Sequence, residues 1–458
     1  MKQFKHFTKE VSGLQYVYDN VKVCSSLGKG LLLHQLPCTK PELLREEFDK
    51  TERHIRFLQQ YPDAVRNLVG ALHTLNDIRQ TILNLRYLRV LDDIELFEIK
   101  KFALNSQYIL RLMQESGYEE LHLHDLSKVV QTLDPEGSRI AHFYIYSVYD
   151  EELAELRKQI QNTEDAEQRE ELTYKALQIE DRVRQKLTEI LHPYWKNIEE
   201  NLRRIAELDL LNAKAQMAVE WNLCRPVISE TKTSYTGLFQ PEVKHLLEER
   251  GETFQPVNLE LRPEPCLITG ANMSGKTVVL KSLCLAQHLF QFGFFVPAEA
   301  AEIMLMDEVF CIIEDTQSEK HGLSSFAVEV LNINRIIESA KSGRRVLALV
   351  DELARTTNPE EGKRIVNAFV LMMQKYGVLS VITTHYGGVA AKCRRLRVNG
   401  LRVDQVTDGI TPGNLSRYMD YTLVETTSDE VPEEALRIAE IFHADEEFLK
   451  LAKGTASV

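Results

Sequence analysis

Hydrophobic residues follow a helical spacing through the first part of the chain. In KPELLREEFDKTERHIRFLQQYPDAVRNLVGALHTL, apolar residues recur every three to four positions, which predicts amphipathic helices. Pro41 lies near a predicted helix start and Pro62 at a predicted break, because a helix tolerates proline only in its first turn. The pattern therefore predicts an all-α region over residues 1–120.

The pattern changes over residues 121–149. LDPEGSRIAHFYIYSVYD begins with turn-forming residues and continues with alternating β-branched and aromatic residues, so we expect a connecting loop and a short strand or two. Residues 150–225 are rich in Glu, Leu, Arg and Lys at helical spacing and contain one proline, Pro193. They predict long amphipathic helices that form an arm or antiparallel pair, in preference to a dimeric coiled coil.

Strand-like and helical stretches alternate over residues 226–458. The apolar runs CLIT, RRVLALV and LSVITT are each followed by turn residues or a helix. This alternation is typical of an α/β sheet that binds its ligand at the strand ends. Because single cores rarely grow beyond about 250–300 residues, a chain of 458 residues is expected to contain more than one domain.

Composition narrows the class of protein. The formal net charge is −13, whereas proteins that bind DNA nonspecifically usually have a basic surface, so the acidity disfavours DNA without excluding a local patch. No apolar run approaches the ~20 residues of a membrane span, and the first residues have no apolar h-region, so we expect no secretory signal. The seven cysteines are scattered without CxxC spacing, which predicts reduced thiols and a cytoplasmic location.

A phosphate-binding loop is predicted at GANMSGKT, which satisfies the pattern GxxxxGK[ST]. Its glycines permit a tight loop whose N–H groups point at phosphate oxygens. Lys276 is predicted to reach the β- and γ-phosphates, and the Thr277 hydroxyl to hold Mg²⁺. The predicted nucleotide-binding residues are Gly270, Ala271, Asn272, Met273, Ser274, Gly275, Lys276 and Thr277.

Two later strand ends are predicted to complete this site. Asp351 and Glu352 follow the apolar run of RRVLALV; we expect Asp351 to hold Mg²⁺ through water and Glu352 to orient or deprotonate the attacking water. The run VLSVITT leads to His385, which we interpret as a γ-phosphate sensor. ATP and Mg²⁺ are the predicted cofactors, and hydrolysis of ATP to ADP and phosphate is the predicted reaction, with Lys276, Glu352 and His385 as its catalytic residues.

These motifs together resemble the MutS family of ABC-type ATPases. TGANMSGKT is similar to TGPNMGGKS/T, GFFVPA to GxxVPA, GLSSFAVE to GxSTFxxE, DELARTTNPEEG to DEIGRGTSxxDG, and TTHY to ATHY. This chain departs from those patterns with Ala271 for proline, Ser274 for glycine and Ser325 for threonine. The resemblance implies a MutS-like, ABC-type P-loop ATPase domain with C-terminal helices, preceded by an all-α core and lever.

The resemblance also implies a partner and two further residues. It implies a head-to-tail homodimer in which each ATP lies between the phosphate loop of one subunit and the signature segment of the other. Ser324, in that segment, would then act across the interface. Phe254, in ETFQPVNL, resembles the aromatic residue that stacks on adenine, and the simpler alternative is a core phenylalanine.

The amino-terminal half resembles only part of the family. LGKGLLLHQLP and the helices up to residue 120 resemble the MutS core, and RIAELDLLNAKAQMA resembles the lever, with a clamp trimmed to about NTEDAEQREE. Mismatch sensors insert the aromatic residue of a Phe-x-Glu motif into the base stack. No phenylalanine of this chain is followed two residues later by glutamate. We therefore expect a truncated homologue without the mismatch-recognition domain.

The resemblance leaves open what ATP hydrolysis drives. One possibility is a DNA-binding homologue, related to DNA mismatch repair by family but not itself a mismatch sensor; the basic stretch CRRLRVNGLRV fits a solvated strand better than a DNA contact. The alternative is the reactivating ATPase of an adenosylcobalamin-dependent aminomutase such as lysine 5,6-aminomutase, which this chain also resembles. Its partners would be a small subunit and the cobalamin enzyme. Neither possibility involves a membrane.

Overall fold

A computed structural model describes residues 2–118, 120–139, 142–270, 274–313, 325–355, 357–402, 415–427 and 434–454. The chain divides into two compact units. The helical unit consists of Lys22–His34 and Thr51–Gln216, and the sheet unit of Met1–Val21, Gln35–Lys50 and Met217–Val458. The predicted helical region 1–120 thus contributes to both units.

The first half of the chain is helical, as its hydrophobic spacing predicts. Pro41 and Pro62 each open a helix, where the missing N–H leaves no bond unmade. Pro193 lies in a 3₁₀ turn, His192–Tyr194, between two long helices. The helices are α1 (Phe4–Phe7), α2 (Leu14–Asn20), α3 (Ser26–His34), α4 (Pro41–Gln60), α5 (Pro62–His73), α6 (Arg79–Arg86), α7 (Asp93–Glu115), α8 (Ser127–Leu133), α9 (Glu151–Asn162), α10 (Ala166–Leu191) and α11 (Trp195–Glu220).

One apolar cluster forms the core of the helical unit. It draws on α4 to α11 and includes Leu72, Ile99, Leu153, Leu187 and Ile205, all almost completely buried. Each buried aliphatic side chain contributes about 1.5–3 kcal/mol, so this cluster is the main source of the unit's stability.

The segment 121–149 differs from its prediction. Its described residues form α8 and a 3₁₀ turn and contain no strand. The segment instead contacts the buried side chain of Lys100, whose Nζ donates to Asp134 Oδ1 (2.9 Å), His142 O (3.0 Å) and Tyr146 Oη (2.9 Å). A buried charge that is fully hydrogen-bonded can fix such a segment without a ladder of backbone bonds.

The sheet unit contains two sheets. The strands are β1 (Val227–Ser229), β2 (Thr233–Leu238), β3 (Val257–Leu261), β4 (Pro265–Thr269), β5 (Ala300–Met304), β6 (Glu308–Ile312), β7 (Val346–Val350), β8 (Leu379–Thr383), β9 (Arg394–Leu401) and β10 (Met419–Glu425). The helices are α12 (Pro241–Glu249), α13 (Lys276–Gln291), α14 (Ser325–Lys341), α15 (Pro359–Lys375), α16 (Glu434–Ile441) and α17 (Glu446–Gly454). The three predicted strands are confirmed as β4, β7 and β8.

The larger sheet sets the position of the candidate site. Its strand order is β10-β9-β4-β8-β7-β6, and the smaller sheet has the order β1-β5-β2-β3. In the larger sheet, the strands from β9 to β6 are mutually parallel, and only β10 runs antiparallel, against β9. The carboxyl ends of the parallel strands therefore lie along one edge.

The amino-terminal segments belong to the sheet unit because they pack on the far end of α13. The Phe4 and Phe7 rings lie 4.9 and 5.8 Å from the Phe292 ring, measured between centroids. Gln35 Nε2 donates to Phe292 O (3.0 Å), and the Cys38 N–H donates to Gln291 O (2.7 Å). Residues more than 250 positions apart in the sequence thus pack together. Among the described residues, no helix is both long and apolar enough to cross a membrane.

His288 in α13 gives a testable pH dependence. Its side chain is 6% exposed, its Nδ1 lies 2.7 Å from Cys284 O, and burial lowers its pKa from 6.5 to about 4. Between these values the unfolded chain binds more protons than the folded one, so stability falls as the pH falls. From pH 7 to pH 5 the loss due to this group is about 2 kcal/mol.

We expect His288→Gln to reduce this pH dependence by about that amount, measured as the free energy of urea unfolding at pH 7 and pH 5. His73→Gln, at an exposed position of α5, is the control. An unchanged pH dependence in His288→Gln would show that the buried imidazole is protonated in the folded state.

Candidate functional site

The predicted site residues meet at the carboxyl edge of the larger sheet. β4 leads into the predicted phosphate loop, β7 into Asp351 and Glu352, and β8 into His385. β8 lies between β4 and β7 in the sheet, with Ile268 opposite Thr383 and Val350 opposite Ile382. Three stretches that are far apart in sequence therefore end side by side.

The described part of the loop has the backbone of a tight turn that opens a helix. Gly270 and Gly275 have φ values of 153° and 84°, which side chains disfavour, and Gly275 is the N-cap of α13. Lys276 is 4% exposed, and its Nζ donates to Gly270 O (2.8 Å) across the loop. The Ser274 hydroxyl is buried without a hydrogen-bond partner among the described residues. Ala271, Asn272 and Met273 lie outside the described residues.

Asp351 is held by two hydroxyl groups. Thr277 Oγ1 donates to its Oδ2 (2.6 Å), and Thr383 Oγ1 donates to its Oδ1 (2.5 Å). The first bond joins the start of α13 to the end of β7. A threonine hydroxyl beside a carboxylate is a set of hard oxygen donors, which Mg²⁺ prefers. Thr277 and Asp351 therefore fit the ion that the sequence predicts.

Glu352 has a left-handed backbone, with φ of 46°. Its N–H donates to Thr383 Oγ1 (2.8 Å). Its side chain is 18% exposed, and Oε2 accepts from Arg355 Nη1 (3.0 Å). A non-glycine residue in this conformation is unfavourable and is common at functional sites.

The loop after Glu352 is fixed from two sides. Glu329 of α14 accepts the Ala354 N–H (2.6 Å), and the Tyr386 hydroxyl donates to Ala354 O (2.8 Å). A Cβ at Gly362 would lie 2.5 Å from the same Tyr386 oxygen, so this position needs glycine for space. Residues from α14, α15 and the end of β8 thus hold the chain next to Glu352.

His385 lies half-buried at this edge. Burial lowers its pKa below the usual 6.5, and the Arg355 and Lys276 charges lower it further, while Glu352 raises it. The imidazole is therefore neutral at pH 7, with one ring nitrogen as donor and the other as acceptor. A neutral imidazole can donate a hydrogen bond from its N–H group to a phosphate oxygen without bringing a positive charge into the site.

A cavity of about 790 Å³ opens beside the first turn of α13. Phe254 and Tyr421 both line it, together with Gly275, Val278 and Val279. A Cβ at Gly275 would lie 2.9 Å from the Tyr421 ring, so glycine permits the close approach of that ring. The volume falls within the range of about 300–1,000 Å³ that is common for small-molecule sites.

Tyr421 reaches the cavity from an irregular stretch of β10. The register of β10 against β9 shifts between Asp420 and Leu423. Gln255, next to Phe254, fixes this stretch: it accepts the Tyr421 N–H (3.1 Å) and donates to Asp420 Oδ1 (3.0 Å). The two aromatic walls of the cavity are thereby linked through one glutamine. Burial raises the pKa of the Tyr421 hydroxyl.

The structure brings most of the predicted site residues together and adds residues that the sequence did not single out. The structure brings together Gly270, Ser274, Gly275, Lys276, Thr277, Asp351, Glu352 and His385 at one edge, with Phe254 at the adjoining cavity. Ser324 lies outside the described residues. Thr383 and Glu329 stand within quoted motifs but were given no role, and Tyr421 stands in none.

The basic stretch of β9 is largely engaged within the protein. Arg394 donates from Nε and Nη2 to Glu425 Oε1 (3.0 and 2.9 Å). Arg395 donates to Ala391 O (3.2 Å) and to Val389 O. Two of the guanidinium groups counted in the sequence as a possible DNA contact thus hold the sheet edge.

Comparison with known proteins agrees with this geometry. The family model described as MutS domain V matches residues 266–453. Endonuclease MutS2 of Pediococcus pentosaceus is 35% identical over 209 residues, which is 45% of this chain and 26% of that protein. DNA mismatch repair protein MutS of Roseiflexus sp. is 32% identical over 239 residues, 51% of this chain and 21% of that protein. Endonuclease MutS2 of Ligilactobacillus salivarius is 30% identical over 286 residues, 62% of this chain and 33% of that protein.

The matches concentrate on the part of the chain that carries the site. The chain spans only about a fifth to a third of the length of these three relatives. The matched family domain contains the phosphate loop, Asp351, Glu352 and His385. Residues 266–453 therefore match MutS domain V, and the chain is similar to MutS2 and MutS proteins over about half of its length.

Proposed function

We propose that this chain binds ATP and Mg²⁺ and hydrolyses ATP to ADP and phosphate, as an ABC-type P-loop ATPase that works as a homodimer. The observation that carries the proposal is the meeting of Lys276, Thr277, Asp351, Glu352 and His385 at the carboxyl edge of one parallel sheet. Ligands of open α/β sheets bind at that edge.

Each group has a task in this proposal. The loop from Gly270 to Thr277 would surround the phosphates with N–H groups, and the Lys276 ammonium would bind the β- and γ-phosphates. Mg²⁺ would be held by Thr277 and Asp351 and would neutralise phosphate charge. Glu352 would orient or deprotonate the attacking water, and neutral His385 would donate a hydrogen bond to the γ-phosphate.

The cavity beside α13 is the proposed base site. Phe254 and Tyr421 offer two aromatic surfaces next to the loop, and a purine can stack on such surfaces.

We expect Phe254→Ala to weaken ADP binding about tenfold, because stacking contributes about 1–3 kcal/mol per base. Isothermal titration calorimetry with ADP measures the change, and Phe254→Trp should retain most of the affinity. Phe448→Ala, at a residue of α17 that is 58% exposed, is the control. Wild-type affinity in Phe254→Ala would assign this residue to the core instead.

The proposed dimer follows from the family signature. In this dimer, Ser324 of one subunit would contact the nucleotide that the phosphate loop of the other subunit holds. ATP should therefore drive association of the chain, which analytical ultracentrifugation with and without ATP would detect. A protein that stays monomeric with bound ATP would contradict the shared site.

We propose DNA as the substrate that the ATPase acts on, with the chain related to mismatch repair without being a mismatch sensor. The relatives' names, endonuclease and DNA mismatch repair protein, support this choice. The net charge of −13 and the engaged arginines of β9 weigh against a broad nonspecific DNA surface, so we expect a local contact.

The test is steady-state ATPase activity with homoduplex, mismatched and branched DNA, at low and moderate salt. We expect a change of rate that depends on DNA and fades with salt, because phosphate contacts release counterions. An ATPase that responds to none of these DNAs would contradict the DNA proposal and direct the search to a protein partner, beginning with a cobalamin-dependent aminomutase and its small subunit. Absence of any ATPase activity would contradict the proposed reaction itself.

A further inference from the structure

We infer that Thr383 is a positioning residue for the Asp351–Glu352 pair, and that its hydroxyl controls the rate of turnover more than the affinity for nucleotide. The inference rests on the proposed ATP hydrolysis. It concerns a residue at the end of β8 that contacts both acidic residues at the end of β7.

The Thr383 hydroxyl both donates and accepts a hydrogen bond with these two residues. Its hydrogen is donated to Asp351 Oδ1 (2.5 Å), and its oxygen accepts the Glu352 N–H (2.8 Å). Thr383 has no exposed surface. A hydroxyl has one hydrogen, and here it points at Asp351, so the lone pairs of the oxygen are free to accept the Glu352 N–H. Both bonds can therefore form at the same time, and each fixes the orientation of the hydroxyl for the other.

The contact with Asp351 fixes the plane of the carboxylate. Thr277 holds Oδ2 from the start of α13, and Thr383 holds Oδ1 from β8. With only one of these bonds, the carboxylate could rotate about its last torsion, which is broad. The two hydroxyls together set which oxygen faces the phosphate loop.

The contact with Glu352 fixes a backbone that is unfavourable by itself. Glu352 has φ of 46°. Its N–H donates to Thr383 Oγ1, and removal of that oxygen would remove this hydrogen bond. The direction of the Glu352 side chain depends on this backbone. A base or water-orienting group loses efficiency when it shifts by a fraction of an ångström, so this bond should affect turnover.

The segment that contains Thr383 departs by one residue from the motif it resembles. The family pattern ATHY has alanine where TTHY has Thr383. Alanine has no hydroxyl and would make neither contact. Thr383 therefore provides a hydrogen-bonded connection between the ends of β7 and β8, at the point where the proposed chemistry occurs.

The test compares Thr383→Val, which keeps the shape and removes the hydroxyl, with Thr383→Ser, which keeps the hydroxyl. We expect Thr383→Val to lower kcat roughly 10- to 100-fold and to leave ADP affinity within about threefold. It should also raise the Mg²⁺ concentration for half-maximal activity, because the carboxylate is less well fixed. Thr383→Ser should recover most of kcat.

A matched control lies in the same strand. Ser380 is also fully buried in β8, and its hydroxyl has no hydrogen-bond partner among the described residues. Ser380→Ala should therefore leave kcat unchanged. Thermal unfolding of all variants shows whether a loss of kcat accompanies a loss of the fold.

The outcomes separate this inference from the proposed function. An active wild-type protein with an equally active Thr383→Val variant would overturn the inference alone. Loss of ADP binding in step with kcat, with a lowered Tm, would also overturn it, because the hydroxyl would then be merely structural. A wild-type protein that binds ADP but hydrolyses no ATP would overturn both.

Discussion

Replacing Glu352 by glutamine is expected to lower ATP turnover at least about 100-fold while leaving nucleotide affinity within about threefold. Glutamine keeps the size of the side chain and the Glu352 backbone contact to Thr383, but its amide cannot accept a proton from water. Because the loop and Asp351 are unchanged, ATP should still bind. The measurements are single-turnover hydrolysis and ADP binding by calorimetry.

The same variant tests the proposed dimer. If ATP joins two subunits and hydrolysis releases them, Glu352→Gln should remain dimeric in ATP for much longer than the wild-type protein, which light scattering after size exclusion would show. Glu338→Gln, at an exposed position of α14, is the control for loss of one charge. Hydrolysis at the wild-type rate in Glu352→Gln would contradict the role assigned to this carboxylate.

Replacing Lys276 by methionine is expected to weaken ADP and ATP binding about 100-fold or more. The Lys276 ammonium is nearly buried and already held at Gly270 O, so it is oriented before the nucleotide arrives. Two charge-assisted hydrogen bonds to phosphate, at about 1.5–3 kcal/mol each, account for a loss of that size. Methionine has a similar length and suits a buried site, which limits damage to the fold.

Lys281→Met, further along α13, is the control for loss of a lysine from the same helix. Circular dichroism and thermal unfolding should be similar for both variants and the wild-type protein. Binding of ADP by Lys276→Met with wild-type affinity would mean that GANMSGKT is not the phosphate loop.

The sequence was most informative where function depends on consecutive residues. The predicted phosphate loop, Asp351 and Glu352, and His385 each follow closely on a short apolar strand, so one local pattern predicts both the strand and the candidate site residues. The structure places these three strand ends side by side because β4, β8 and β7 are parallel neighbours. Sheet order itself was not visible in the pattern, and it is sheet order that makes Thr383 a neighbour of Asp351.

Residues whose role depends on packing between distant segments were not predictable. Tyr421 reaches the cavity only because the register of β10 shifts and Gln255 holds it there. The segment near Lys100 gave a wrong prediction for a different reason. Its alternating aromatic residues are typical of a strand, but it forms none among the described residues. In the structure, the Tyr146 hydroxyl and the His142 carbonyl of this segment accept hydrogen bonds from the buried Lys100 ammonium instead.

The sequence also could not predict which compact unit each helix joins. Hydrophobic spacing correctly predicts that the first residues are helical, but a helical face does not show which core it joins. Phe4 and Phe7 join the core around Phe292, whereas α3, close by in sequence, belongs to the helical unit.

The packing of Phe4 on Phe292 has a consequence for synthesis of the protein on the ribosome. At roughly 5–20 residues per second, the ribosome needs on the order of 15 to 60 s to produce the stretch between these two residues. Throughout that interval the apolar face of α1 lacks its native partner Phe292, the residue that follows α13. These first residues are therefore where we expect a chaperone to bind the nascent chain.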